Sequence, residues 1–248
     1  MRFLKLTVAY DGTGFFGWQW QPDRRTVQGE LEAVLRRITS EPLRAVASGR
    51  TDAGVHALGQ VVSVATECRL PPDVLRRAMN AYAPPDLAVL DVQEAPQGFH
   101  ATNDAIAKRY RYLIHDGPLR EVFSRHFAWQ VRHRLDVGAM GDAARALVGR
   151  HDFKSYETAG SARACTVRTV RELSVQREAG SGRIVIEVEA DGFLYNMVRN
   201  IVGTLVEVGR GKRPASWPGE VLAARDRRLA GATAPPQGLY LLCVRFAE

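Results

Sequence analysis

The sequence predicts an α+β protein with a mostly antiparallel sheet and helices on one face of that sheet. Apolar residues alternate with polar ones in some segments, as in strands, and recur every three or four residues in others, as in helices. The order of these segments, βαββαβ, occurs once in each half of the chain. With 248 residues and 46% hydrophobic content, the chain can bury a core without disulfide bonds.

A strand and a helix begin the first half. Residues 2–10 place Leu4, Leu6 and Val8 on one side by alternation, which predicts a strand. Residues 27–38 carry apolar residues at helical spacing. Each segment therefore has one apolar face to bury.

Four more elements complete the first half. Apolar runs near 43–47 and over 59–66 predict two strands. Pro72 is typical of the first turn of a helix, and residues 87–93 predict the last strand. The resulting order is that of a ferredoxin-like unit.

The second half repeats that order more loosely, with Asp136 as a predicted N-cap and Gly149 and Gly209 as predicted helix ends. A link that contains proline and glycine separates the halves, so we predict domains over 1–104 and 105–248. The elements predicted in the second half are a strand over 107–115, a helix over 136–148, strands over 166–176 and 183–190, a helix over 194–208, a short helix over 217–227 and a strand over 238–246.

The charge balance indicates a polyanionic partner. Lysine and arginine total 34 against 27 aspartates and glutamates, and nearly all of the cations are arginine. The arginine fork binds phosphate through two parallel hydrogen bonds and stacks on bases. Arginine also solvates ordinary surfaces, so charge alone leaves both interpretations open. The basic clusters read "PDRRTVQ", "KRYRYLIHDGPLREVFSRHF", "RHR" and "GRGKRP".

Several common chemistries lack their signatures. The cysteines, Cys68, Cys165 and Cys243, are far apart, so we expect small buried apolar residues and not a disulfide framework or a zinc site. "GRGK" from Gly209 lacks the spacing of a phosphate-binding loop, and the six histidines form no metal-binding pair. No stretch approaches the ~20 apolar residues of a membrane span, and the N-terminus is strand-like, so we expect a cytoplasmic protein.

One carboxylate stands out in the stretch "SGRTDAGVHALGQVV", residues 48–62. Asp52 lies between two apolar runs, in a predicted strand-to-strand loop with Arg50 and Gly54 close by. An aspartate in such a loop commonly makes an Asx turn with its own backbone. The nearby cation and the glycine also suit a carboxylate that is kept ionised and open to a ligand, which is a competent nucleophile.

Ordered sequence blocks along the whole chain resemble the TruA family of tRNA pseudouridine synthases. "GRTDAGVHALGQVV" resembles the active-site motif of that family, whose aspartate falls on Asp52. "FHAT" departs from the F-H-A-R that is frequent in the family, so an arginine that contacts RNA is replaced by Thr102 or supplied elsewhere, for example by Arg109. The other blocks are "YDGTGFFGWQWQ", "FHATNDAIAKRYRY", "HDFKSY", "DGFLYNMVRNIVGTLVEVG" and "APPQGLYL".

The resemblance implies the pseudouridine synthase fold and the isomerisation of uridine to pseudouridine at positions 38, 39 and 40 of the tRNA anticodon stem-loop. It implies no cofactor, no metal and a homodimer. Residues 1–104 would carry the catalytic aspartate loop, and residues 105–248 would complete the active-site cleft. Asp52 would attack C6 of the uracil or C1′ of the ribose, or assist elimination to a glycal. The target base must first leave the helical stack.

The resemblance also assigns roles to residues outside the loop. Tyr110 would stack on the uracil, Arg199 would pair with Asp52 and keep it charged, and Leu239 would line the uracil pocket. Within the loop, the position of Arg50 two residues before Asp52 leaves two roles open, contact with phosphate at the flipped nucleotide or pairing with the aspartate. A core tyrosine, a solvated helix arginine and a core leucine would look the same in the sequence. Arg109 and Arg111, on the opposite side of the same strand from Tyr110, are expected to contact RNA.

Two other classes of function stay open. A non-catalytic module that binds or folds RNA would keep the scaffold and bind tRNA without making product. A phosphate-ester hydrolase that uses the carboxylate with a metal would need a second acidic ligand, for which Asp11, Asp86 and Asp191 are the candidates by element order.

Overall fold

The computed structural model describes residues 1–160 and 165–247. The chain forms two compact units, one built from Met1–Ile106 with the C-terminal segment from Tyr240, the other from Ala107–Leu239. Each unit combines helices with a mostly antiparallel sheet, so the predicted fold class is confirmed. The assignment of functional domains to 1–104 and 105–248 stays a prediction. The compact units differ from it in placing the C-terminal strand with the first unit.

The first unit has the predicted βαββαβ order. Strand β2 is shorter than the expected 43–47, because only its two residues pair with β3, and β3 begins three residues earlier than expected. The elements are β1 (Arg2–Tyr10), α1 (Val27–Thr39), β2 (Val46–Ala47), β3 (His56–Thr66), α2 (Pro72–Tyr82) and β4 (Leu87–Ala95), joined late in the chain by β10 (Leu239–Phe246).

Strand β1 is the centre of the first unit, antiparallel to β4 on one side and to β3 on the other. The second edge of β3 is shared: β2 pairs with Val62 and Ser63, whereas β10 runs parallel to β3 at His56 and Ala57. Alternate residues of β1 are fully buried, as the apolar alternation predicted. Burial of each such aliphatic side chain contributes ~1.5–3 kcal/mol.

The second unit keeps the predicted order but adds two short strands. Sequence reasoning missed β6 (Trp129–Val131), which runs parallel to β5, and β7 (Gly149–Asp152). Strands this short carry almost no periodic signal. The other elements are β5 (Ala105–Asp116), α3 (Val137–Ala144), β8 (Val167–Arg177), β9 (Ile184–Ala190), α4 (Met197–Gly209) and α5 (Trp217–Ala224).

The helix predicted over 136–148 is shorter in the structure. Asp136 is its N-cap, as predicted, and accepts a hydrogen bond of 2.9 Å from the amide of Ala139. The α-helix ends at Ala144 and continues as one 3₁₀ turn, Arg145–Leu147. Gly149 is not a helix stop but the first residue of β7, with φ of +110°.

The prediction that the cysteines are buried is wrong. Cys165 is exposed, and Cys68 and Cys243 are partly exposed. All three are free thiols in the described part of the chain. Across residues 1–160 and 165–247, no helix has the length and apolar character needed to cross a membrane.

Candidate active site

The loop that joins β2 to β3, residues 48–55 (the Asp52 loop), carries Asp52. Its residues differ in exposure: Arg50 is exposed, Thr51 is buried, Asp52 is half-buried and Ala53 is exposed. A buried neighbour on one side thus anchors the chain beside a carboxylate that solvent reaches.

The segment that follows β1 holds the backbone of the Asp52 loop on both sides of the aspartate. The amide of Trp18 donates to the carbonyl oxygen of Thr51 at 3.0 Å, and the amide of Gly54 donates to the carbonyl oxygen of Phe15 at 3.4 Å. The amide of Val55 donates to the carbonyl oxygen of Asp52 at 3.1 Å and closes the turn. The backbone of Asp52 is therefore fixed from outside and from within the loop.

Glycines make this close approach between the two segments sterically allowed. Gly17 has φ of +81°, and a Cβ there would lie 2.6 Å from the carbonyl oxygen of Thr51. A Cβ at Gly12 would lie 2.1 Å from the carbonyl oxygen of Val55. Because both contacts are with backbone, no flexible side chain can move aside, and only glycine fits.

A buried polar network supports the Asp52 loop from the sheet. The hydroxyl groups of Tyr10 and Thr51 share a hydrogen bond of 2.8 Å. The Gln60 amide donates to the carbonyl oxygen of Gly49 at 2.7 Å and accepts from the Ser48 hydroxyl at 2.8 Å. Burial raises the pKa of the Tyr10 phenol to about 12, against the opposing effect of its hydrogen bonds, so it stays protonated.

Sequence reasoning missed these supporting residues. The available signal was a glutamine, Gln60, inside the otherwise apolar strand "GQVVSVA". A buried amide needs partners, and here the partners are Ser48 and Gly49, the first two residues of the Asp52 loop.

His56, at the start of β3, links the Asp52 loop to the C-terminal strand. Its buried ring stacks on Tyr240 of β10, with 4.7 Å between the ring centroids. The amide of Gly12 donates to Nδ1 of His56 at 3.0 Å. The same nitrogen lies 3.2 Å from Oδ1 of Asp11.

In the second unit, Tyr110 and Leu239 are both largely buried. The ring of Tyr110 meets Phe193 edge-on, with 5.0 Å between centroids and 83° between planes. Tyr112, two residues further along β5, is fully buried and donates from its hydroxyl to the carbonyl oxygen of Pro235 at 2.7 Å. The two tyrosines face the same side of β5, as the alternation predicted.

Arg199 lies on α4 with its guanidinium held by two oxygens. Nε donates to the carbonyl oxygen of Ala234 at 2.7 Å, and a terminal nitrogen donates to Oδ1 of Asn196 at 2.8 Å. Arg199 and Asn196 are therefore in direct contact. Four apolar residues at helical spacing on α4 are buried: Met197, Ile201, Leu205 and Val208.

Packing of the 231–234 loop on α4 positions the carbonyl that binds Arg199. A Cβ at Gly203 would lie 1.7 Å from the carbonyl oxygen of Ala232, so the loop crosses the helix in contact with its backbone. Asn200 accepts hydrogen bonds at Oδ1 from Arg227 at 2.9 Å and from Thr233 at 2.7 Å. These contacts fix the loop, and the loop in turn fixes one acceptor of Arg199.

Arg109 and Arg111 contact a row of glutamates on the neighbouring strands. Arg109 pairs with Glu189 at 3.0 Å, with Glu187 at 3.2 Å and with Glu172. Arg111 pairs with Glu187 at 2.6 Å. Each arginine lies directly opposite a glutamate in the β5–β9 register. The two cations are therefore already paired with carboxylates within the second unit.

The departure at "FHAT" has a structural role of its own. The hydroxyl of Thr102 donates to the carbonyl oxygen of Ala47 at 2.6 Å, and the amide of Ala101 donates to the hydroxyl of Ser63 at 3.1 Å. Thr102 therefore binds the short strand β2, directly before the Asp52 loop.

Two of the basic clusters converge in the second unit. His133 and Arg134 of "RHR" and Arg210 and Lys212 of "GRGKRP" line an open cleft of about 320 Å³. Arg210 and Lys212 both pair with Glu207, at 2.7 and 3.6 Å. The cleft is cationic, and the Glu207 carboxylate partly balances its charge.

The carboxylates considered for a metal-dependent hydrolase have other partners. Asp86 accepts two hydrogen bonds from Arg25, at 2.6 and 2.8 Å, which hold the pKa of Asp86 below its ordinary value. Asp11 accepts from the amide and the hydroxyl of Thr13. Among the described residues, no group of three or more histidines, cysteines, aspartates or glutamates could hold a metal ion. The arrangement gives this interpretation no support.

Comparison with known proteins assigns the family. The sequence profile of the tRNA pseudouridine synthase family matches residues 6–104 and 143–247. A "tRNA pseudouridine synthase A" of Brevibacillus brevis is 48% identical over 241 residues, which cover 97% of this chain and 98% of that protein. A protein of the same name from Moorella thermoacetica is 46% identical over 248 residues, covering 99% of this chain and 100% of that protein.

These matches place the chain among the isomerases that act on tRNA uridines. It belongs to the tRNA pseudouridine synthase family. Likeness to solved structures is weak: a Cbf5-Nop10-Gar1 complex gives a TM-score of 0.34 at 15% identity, covering 82% of this chain and 54% of that one, and it carries no part of the assignment.

Proposed function

We propose that the protein converts uridine to pseudouridine at positions 38, 39 and 40 of the tRNA anticodon stem-loop, with Asp52 as the nucleophile. Family membership supplies the reaction and the substrate class. The positions and the role of Asp52 come from the resemblance of "GRTDAGVHALGQVV" to the active-site motif of the TruA family. We further propose that the protein acts as a homodimer in the cytoplasm, without cofactor or metal.

The observation that carries the role of Asp52 is how its loop is held. Hydrogen bonds from Trp18 and to Phe15 fix the backbone on either side of the aspartate, while its side chain stays half-exposed. A nucleophile works best when its geometry is set before the substrate binds, because no reorganisation is then needed during the reaction. An aspartate that served only to make an Asx turn would not need a second segment to hold its loop.

The reaction moves one bond within the substrate. The N1–C1′ bond breaks, the uracil turns, and a C5–C1′ bond forms. The proton on C5 is then lost, and N1 ends protonated, so the reaction is balanced without a redox partner. An ionised Asp52 serves each of the three routes, through C6, through C1′ or by elimination to a glycal.

The other site residues have proposed roles that follow from the resemblance. Tyr110 stacks on the extruded uracil, which contributes ~1–3 kcal/mol. Arg199 is the charged partner of Asp52, and Leu239 lines the uracil pocket. The exposed guanidinium of Arg50 contacts the phosphate of the extruded nucleotide. This set combines a nucleophile, its charged partner, an aromatic ring that stacks on the base and a cation that contacts phosphate.

Arg109 and Arg111 are proposed as RNA contacts with a specific condition. Their glutamate partners hold them in ion pairs, so RNA phosphate must compete with carboxylates for the same guanidinium groups. We expect Arg111, the more exposed of the two, to contribute more to tRNA affinity.

The test is tritium release from tRNA transcripts labelled with [5-³H]uridine, in the presence of chelator. Release by the wild-type protein and none by Asp52→Asn is expected. Asp73→Asn, at an exposed helix position paired with Arg77, is the matched control and should release tritium at the wild-type rate. Release by Asp52→Asn at the wild-type rate contradicts the proposal. Salt-sensitive tRNA binding with no release by any variant would favour the non-catalytic RNA-binding module.

A further inference from the structure

A loop beside the Asp52 loop exposes two aromatic side chains. This loop, residues 16–25, precedes helix α1 and includes Trp18, whose amide holds the Asp52 loop. Within this loop Phe16 is 48% exposed and Trp20 is 56% exposed, whereas the alternate residue Trp18 is buried. The loop therefore directs large flat rings both inward and outward.

This loop is ordered by hydrogen bonds. The amide of Phe16 donates to the carbonyl oxygen of Arg25 at 2.8 Å, across a turn in which Asp23 has φ of +57°. The amide of Trp20 donates to Oε1 of the buried Gln28 at 2.9 Å. The exposed rings therefore stand on a fixed backbone. Binding of a ligand does not have to order this backbone, which lowers the entropy cost of binding.

Arg24 adds a cation to the same surface. Its guanidinium lies over the ring of Phe16, 4.5 Å from the centroid. The neighbouring Arg25 is engaged with Asp86 and Glu30 and is held in the unit. Arg24 is thus the exposed cation of the pair, stacked on an aromatic ring.

The position of this surface relates it to the reaction. The amide of Trp18 is 3.0 Å from the carbonyl oxygen of Thr51, and Trp20 follows two residues later. At roughly 3.6 Å per residue, the Cα atom of Trp20 is at most about 12 Å from that oxygen. Stacked nucleotides are roughly 3.4 Å apart, so this span corresponds to about three nucleotides.

We propose that Phe16, Trp20 and Arg24 form a platform on which unpaired nucleobases flanking the target uridine stack. Exposed aromatic rings and arginine planes are the groups on which splayed bases stack, whatever their sequence. The inference rests on the proposed role of the Asp52 loop as the catalytic loop. The platform is a binding surface that precedes chemistry, so its loss weakens binding of tRNA and leaves the chemical step intact.

The experiment compares steady-state kinetics of Trp20→Ala and wild type on an unmodified tRNA transcript at one fixed salt concentration. The KM for tRNA should rise about tenfold, corresponding to ~1.4 kcal/mol, while kcat stays within about twofold. Trp20→Phe should retain most of the affinity, because it keeps a flat ring. An unchanged KM overturns the proposal. If the oligomeric state changes while KM does not, the surface is a protein contact.

Tyr82→Ala is the matched control. Tyr82, also in the first unit, resembles Phe16 of the platform: it is 48% exposed and lies under an arginine, with Arg37 4.0 Å from its ring centroid. An exposed aromatic–arginine pair with no role in RNA binding should leave KM unchanged. An equal rise in KM for Tyr82→Ala and Trp20→Ala would show a general effect of surface aromatics and would overturn the proposal.

A second measurement does not depend on the folding of the alanine variant. The difference in fluorescence between wild type and Trp20→Phe isolates the emission of Trp20. Stacking on a base should quench this emission when tRNA is added, and an unquenched difference overturns the proposal. Failure of the proposed function is recognised separately, since it is measured as tritium release by Asp52→Asn.

Discussion

Gly17→Ala should damage the Asp52 loop without removing any catalytic group. Gly17 has φ of +81°, which costs a residue with a Cβ roughly 1–2 kcal/mol. The new Cβ would lie 2.6 Å from the carbonyl oxygen of Thr51, and ordinary contact begins at 3.4 Å, so the two segments must separate by about 0.8 Å. The atom that must move belongs to the residue before Asp52.

This displacement should lower both the free energy of unfolding and kcat. Overpacking adds roughly 1–3 kcal/mol to the conformational cost, so the free energy of unfolding should fall by about 2–5 kcal/mol. A displacement near 1 Å of a catalytic group typically costs roughly 100-fold in rate. We expect kcat of Gly17→Ala to fall by about that factor, measured as tritium release at saturating tRNA.

Gly98→Ala is the control that separates displacement of the Asp52 loop from the cost of a positive φ. Gly98 has φ of +83°, and no heavy atom of the described residues lies within 4 Å of a Cβ built there. This variant should lose only roughly 1–2 kcal/mol in urea denaturation and keep its kcat. The reasoning is refuted if Gly17→Ala keeps wild-type kcat, or if Gly98→Ala loses as much kcat as Gly17→Ala.

Further predictions concern the supports of the two units. Gln60→Leu removes the amide beneath the Asp52 loop and should cost ~1–3 kcal/mol in urea denaturation and lower the rate of tritium release. Burial opposes ionisation of Asp116, but its hydrogen bonds from Arg177 outweigh burial and hold the pKa below its ordinary value. The stability from this pair is present above the ordinary pKa and is lost as pH falls through the lowered one. The free energy of unfolding should therefore drop below about pH 4 in wild type and less steeply in Asp116→Asn, as urea titrations at several pH values would show. Gly203→Ala forces a Cβ to 1.7 Å from a carbonyl oxygen and should lower Tm by roughly 10 °C, whereas Gly141→Ala, with no described atom within 4 Å, should raise it by about 2 °C. Equal Tm values for these two variants would contradict the packing argument.

The parts of the fold that sequence predicted well are those in which local pattern and burial agree. The alternation of residues 2–10 and the helical spacing of 27–38 both reflect one buried face, and both elements end within one residue of the prediction. Strands β6 and β7 were missed because three or four residues cannot display a period.

The candidate site shows the same division. Asp52 was found because its loop is a local pattern of small and charged residues between apolar runs. The ion pairs of Arg109 were not found, because the glutamates come from two strands that lie more than sixty positions away along the chain. A side chain's partner across a sheet depends on register, and register is a property of the assembled fold.

The segment after β1 shows how one short sequence can serve both the fold and the substrate. Phe15 and Trp18 face inward, and their backbones hold the Asp52 loop, while Phe16 and Trp20 face outward. Glycine at position 17 is costly for stability, since it loses more freedom on folding than any other residue. The close contact of Gly17 with the Asp52 loop offsets that loss, because a Cβ at this position would lie 2.6 Å from the carbonyl oxygen of Thr51. On this view the inward rings fix the nucleophile and the outward rings hold the RNA beside it, so Gly17→Ala should lower kcat while Trp20→Ala raises KM. A segment that only stabilised the fold would not produce that separation.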